Sequence, residues 1–122
     1  MASTTEIKDI LSEILEDTEN LSLIEKVAPL FIEHNLRTEL IELYRLDFYY
    51  NSNPAAFEAI GDLYYSDSNY EEALNNYMSC AELSGNYAQI FIKLADVFGK
   101  MNDTTSQHAC LEQARVIGGA DE

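Results

Sequence analysis

The sequence predicts an all-α protein: about seven helices, joined by short loops and paired as antiparallel hairpins. Three observations predict it. Apolar residues recur at i, i+3, i+4 and i+7 along most of the chain, the period of a helix that buries one stripe. No stretch alternates with period two for long enough to make a strand. The breaks between helical runs are brief, at 67–69, 85–86 and 101–103, so consecutive helices should be antiparallel neighbours.

Each element has its own signal. Over residues 4–20, Ile7, Ile10, Leu11, Ile14 and Leu15 form one stripe, with Ser3 and Glu6 at capping-box spacing. Ser22 and Glu25 repeat that signature before a second helix over 23–35. Pro29 falls inside it, removes a backbone donor, and should bend or shorten it. A third helix over 37–50 stops at Asn51-Ser52-Asn53-Pro54, because the residue before a proline avoids the helical region. Pro54 suits the first position of the next helix. Further helices are expected over 55–66, 70–84, 87–100 and 104–117.

At 122 residues the chain is about one domain long. A domain of that size buries roughly two-thirds of its unfolded surface, enough for a core without disulfides. Apolar residues make up 47%, ordinary for a globular protein. Acids outnumber bases by 22 to 7, for a net charge of −15. Such a surface repels nucleic acid and anionic membranes, favours basic partners and promotes solubility. No apolar run approaches the ~18 residues of a membrane span. The opening residues lack the order of a signal peptide, and Met1 reads as a natural start rather than the edge of an excised piece. Cys80 and Cys110 both lie in expected helices, which fits reduced thiols and a cytoplasmic location.

An internal pattern recurs. Phe57-x-x-Ile60-Gly61-x-x-Tyr64, then Ala73-x-x-x-Tyr77, resembles the tetratricopeptide repeat (TPR) family. The first half returns one repeat length later as Phe91, Leu94, Ala95 and Phe98, and stands almost as far upstream as Ile24, Val27, Ala28 and Phe31. The second halves align less well. Leu40 and Tyr44, and likewise Gln107 and Leu111, stand opposite Ala73 and Tyr77, while Cys80 is matched by Ala114 and by Asp47. The resemblance implies helical hairpins stacked in a right-handed TPR-like superhelix, as one domain over 1–122. Its parts are a capping helix (1–20), a degenerate hairpin (21–53), repeats over 54–87 and 88–118, and a tail (119–122). It also implies that Gly61, Ala73 and Cys80 are small because two helices cross there. Tyr64, Tyr70 and Tyr77 then read as packing residues.

Catalytic signatures are lacking. His108 and Cys110 point to different helix faces, and His34 suits a helix C-terminus. Gly-rich phosphate loops and His or Cys metal motifs are missing, and Asp67 to Glu72 lacks the glycine and terminal glutamate of a calcium loop. We therefore expect no enzyme, no cofactor and no metal. In the resembling family the first helices of successive repeats line a concave groove. Carried over, that groove comprises Ala55, Glu58, Asp62, Tyr65 and Ser66 in the middle repeat. The last repeat contributes Gln89, Ile92, Asp96, Gly99 and Lys100, and the first Ser22, Glu25, Pro29, Ile32 and Glu33. Tyr65 is the tyrosine that packing leaves unassigned. Glu58, Asp62 and Asp96 disfavour a clamp for acidic tails.

The expected function is a non-catalytic adaptor or scaffold whose acidic groove takes a protein or peptide segment. That segment is basic or neutral, with an apolar anchor. Alternatives are a TPR-type bacterial secretion chaperone for a translocator protein, a self-associating structural domain whose contact lies past Gly118, and an accessory domain of an enzyme such as a transferase. Nucleic acid and membrane are not expected partners.

Overall fold

A computed structural model describes residues 24–84 and 87–118, together with Glu6, Asp9, Ile10, Ser12 and Glu13, which are helical. The rest of the expected helix over 4–20 lies outside the described residues. So do the capping partners Ser3 and Ser22, the break at 85–86 and the tail. Six helices follow: α1 (Ile24–Glu33), α2 (Arg37–Asn51), α3 (Ala55–Ser66), α4 (Tyr70–Ser84), α5 (Ala88–Lys100) and α6 (Thr104–Ile117). No strand occurs among the described residues. The chain forms two compact units, Met1–Asn53 and Pro54–Glu122.

In the first unit, α1 buries Ile24, Ala28 and Phe31, spaced i, i+4 and i+7, and packs on α2, which buries Leu40, Ile41, Leu43 and Tyr44. Pro29 lies within α1 without dividing it. Its missing N–H leaves only the Glu25 carbonyl without an intrahelical partner, and the next turn forms regardless. Tyr44 is buried, and its hydroxyl donates to Glu25 Oε1 across 3.1 Å. Asp47, where the later repeats have Cys80 and Ala114, is buried at 8% exposure. Both its oxygens accept hydrogen bonds, from Asn51 Nδ2 at 2.8 Å and Asn53 Nδ2 at 2.9 Å. Those bonds offset the cost of burying a carboxylate.

In the second unit, α3 packs on α4, α4 on α5 and α5 on α6. Ala73, Tyr77, Cys80, Ile90, Leu94 and Val97 form a shared core between the two hairpins, flanked by Phe57, Tyr64 and Phe91. Gly61 is where α3 meets α4. A Cβ there would lie 2.5 Å from Tyr77 Cε1 and 2.6 Å from Cδ1. No carbon side chain fits that space, so the ring of Tyr77 lies directly on the backbone of α3. Ala28 and Ala95 hold the corresponding places and are also buried. The small-residue crossing expected from the repeat pattern is thus a physical contact.

The loops repeat with the helices. Asn35, Ser68 and Asn102 all have φ near 60° and follow one another at nearly equal intervals along the chain. Each sits in the same pair of bonds. Leu36 N–H donates to the Phe31 carbonyl and Asn35 N–H to that of Ile32. Asn69 donates to Tyr64 and Ser68 to Tyr65, and Asp103 to Phe98 and Asn102 to Gly99. These are Schellman caps, which stop a helix by turning one residue left-handed. They end α1 at Glu33, short of the expected boundary at Asn35. Asp103 then caps α6 by accepting the N–H of Ser106 at 3.1 Å. Pro54 has φ −66° and stands just before Ala55, one position outside the helix it was expected to start.

Candidate functional site

The site grows from the exposed faces of α3 and α5, the first helices of the two hairpins in the second unit. On α3, Ala55, Asp62 and Ser66 are exposed and Glu58 and Tyr65 half-buried. On α5, Gln89, Ile92, Asp96 and Lys100 are exposed and Gly99 half-buried, against the α6 residue Gln107. Asp62, Tyr65 and Asp96 are brought together. With Tyr77 and Lys93 they line a cleft of about 160 Å³. Ser66 is tied to its own helix instead, its hydroxyl donating to the Leu63 carbonyl at 2.8 Å. Glu25, Pro29, Ile32 and Glu33 are exposed on α1 of the first unit, where Glu25 holds Tyr44.

Lys93 is the residue that sequence reasoning missed. Its ammonium is 2.6 Å from Glu58 Oε2 and 3.0 Å from Asp62 Oδ1, so one cation on α5 bridges two carboxylates on α3. Two tyrosines complete the network. Tyr77 donates to Asp62 Oδ1 and Tyr87 to Glu58 Oε1, both at 2.5 Å. Tyr87 also reaches the sulfur of buried Cys80 at 3.3 Å. The Lys93 ammonium stands 5.9 Å from the centre of the Tyr77 ring, within cation–π range. A signal for Lys93 existed: it follows Gln89 by four positions and precedes Asp96 by three, and so shares their face.

The charges respond to this setting. Burial pushes the Glu58 carboxyl up, but hydrogen bonds from Lys93 and Tyr87 and the charge of Lys93 outweigh it, so its pKa ends below the ordinary 4.5. Burial pulls Lys93 down, yet its bonds to Glu58 and Asp62 and their charges leave it above 10.5. Burial raises Tyr77, and so do its bond to Asp62 and the carboxylate charges nearby. Tyr87 is raised by burial and by its bonds to Cys80 and Glu58. At neutral pH Glu58 is therefore ionised, Lys93 is an ammonium, and Tyr77 and Tyr87 stay protonated.

Two expectations change. The acidity of Glu58 and Asp62 is partly cancelled by Lys93 and is not simply presented to a partner. Asp96 has no such tie among the described residues. Tyr65 is not a bare solvent-facing ring. It is half-buried, packs on the core and meets Tyr70 edge to face at 5.5 Å between ring centres. A second cleft, of about 290 Å³ and largely apolar, lies along α4 and α5 between Met78, Ala81, Glu82, Phe91 and Leu94.

Among the described residues no three His, Cys, Asp or Glu side chains gather as a metal site. His108 is exposed, Cys110 half-buried, and no hydrogen bond joins them among the described residues. No described helix is long and apolar enough to cross a membrane.

Comparison with known proteins bears on the fold. A crystal structure of MamA matches this chain with a TM-score of 0.72 at 17% identity, over 92% of its length. The fold is a TPR-like helical repeat. The chain spans 66% of the length of that MamA chain. No protein-family model matches the sequence, and no curated protein matches it.

Proposed function

We propose that the chain is a non-catalytic protein-interaction module that receives a partner segment across the exposed faces of α3 and α5. The observation that carries this reading is the cleft. Side chains from two successive hairpins (Asp62 and Tyr65 against Asp96) line one concavity, with Ile92 exposed on the same helix as Asp96. Carboxylates, a tyrosine and an apolar side chain on one face suit a basic or neutral segment with an apolar anchor. The TPR-like fold supports interaction in general, and the chemistry of the face supports this preference.

The test is an affinity capture from native lysate with the wild type and an Ile92→Ala/Asp96→Ala variant, read by mass spectrometry. Both residues are exposed and neither takes part in the Lys93 network, so the variant should keep its fold. A protein captured by the wild type and lost by the variant is expected. Identical captures would overturn the groove reading. Leu111 and Val116, exposed on α6, favour self-association as the second reading. A mass that rises with concentration and falls on Leu111→Ser/Val116→Ser would support it.

A further inference from the structure

The cleft already shows which chemistry its walls accept, because the protein's own cation sits in it. Lys93 is held by Asp62 through both oxygens, at 3.0 and 3.1 Å, and stands near the face of Tyr77. Tyr65 on α3 and Asp96 on α5 complete its lining. Charge there is unbalanced. Three carboxylates, Glu58, Asp62 and Asp96, face one ammonium, and that ammonium is engaged by the two on α3. Asp62 is still about half exposed, and Asp96 is exposed on the next helix.

We infer that the cleft seats one arginine side chain of the partner segment, its guanidinium between Asp96 and the outer edge of Asp62 and its plane on Tyr65. This deepens the groove reading and rests on it. Three physical reasons select the guanidinium. It is planar, so it can lie on an aromatic ring where a second ammonium next to Lys93 would keep a bulky hydration shell. Its fork of five donors can serve two carboxylates at once. It also brings the local charge closer to neutrality, since two cations against three acids leave one negative charge in place of two. Lys93 then has a definite part. By bonding both oxygens of Asp62 it orders that carboxylate before the ligand arrives, and Oδ2, which Tyr77 leaves alone, keeps a lone pair for the guanidinium.

The test uses the full chain labelled with ¹⁵N and two short peptide sets. Each set fixes one leucine and varies its spacing from a single second residue. That residue is arginine in one set and citrulline, its uncharged near-isostere, in the other. The arginine set should shift the amides of Asp62, Tyr65, Lys93 and Asp96 saturably, binding about five- to tenfold tighter than the citrulline set. Asp96→Asn should erase most of that difference while leaving the spectrum of the free protein otherwise unchanged. Equal binding of both sets along α3 and α5 would overturn the arginine site and leave the groove standing. Shifts on neither helix with either set would overturn both.

Discussion

At the scale of single residues, Gly61 sets the distance between α3 and α4. Gly61→Ala gains roughly 1 kcal/mol of helix propensity. It also places a methyl against a ring that cannot withdraw, because Tyr77 is 3% exposed and tied to Asp62. We expect a net loss of about 1–3 kcal/mol in urea denaturation. A variant as stable as the wild type would mean that the crossing can open. The two thiols should also separate. Cys80 is fully buried, whereas Cys110 is half-buried, its thiol pushed up by burial and then by the charge of Asp103. In the native state one thiol should react with a thiol reagent, more slowly than a free cysteine, and Cys110→Ser should silence it. Prompt labelling of Cys80 would contradict the tight packing of α4 on α5. The crossing was legible in the sequence, since a helical glycine flanked by bulky side chains marks a place where another element approaches the backbone. The partner of the Tyr77 hydroxyl was not, because it depends on which turn of α3 lies opposite.

At the scale of elements, the bridge from Lys93 to α3 joins one hairpin to the next. A double-mutant cycle with Lys93→Met and Glu58→Gln should return a coupling of about 1 kcal/mol near neutral pH. The sign of its pH dependence follows from the shifts. Glu58 is lowered, so its contribution is complete above its ordinary 4.5 and is lost as pH falls through the folded value below that. Lys93 is raised, so its contribution is complete below 10.5 and is lost as pH rises through the folded value above that. The coupling should therefore hold a plateau between these limits and shrink at both ends. A coupling that stays constant down to pH 3 would assign the effect to packing instead of charge. Helix boundaries at this scale were largely readable. The spans 55–66, 70–84 and 104–117 match because Asn, Asp, Ser, Pro or Gly interrupts the apolar period on either side. The bridge itself was hidden, because spacing shows which residues of α5 share a face but not what α3 sets against them.

At the scale of the whole molecule, the second unit contains its own core and both hairpins that enclose it. A fragment of residues 54–122 should stay helical and unfold cooperatively, as measured by circular dichroism against urea. A broad, non-cooperative transition would show that its core needs the residues before Pro54. A fragment of residues 24–53 holds a single hairpin and should be largely unfolded, since one pair of helices buries too little apolar surface. The degeneracy of that hairpin could be read from Asp47 and Leu36, where the later repeats have Cys80 or Ala114 and the helix-capping Asn69 or Asp103. How Asn53 completes the satisfaction of the buried carboxylate could not, because that bond forms only once α2 has ended. The recurring left-handed turns also make the chain a spliceable string. The segment from Asn69 to Asn102 runs from just after one such turn through the next, a cassette that starts and stops at the same backbone geometry. A second copy inserted after Asn102 would meet Asp103 in the conformation it has now. The array could be lengthened by a whole hairpin without redesigning either junction.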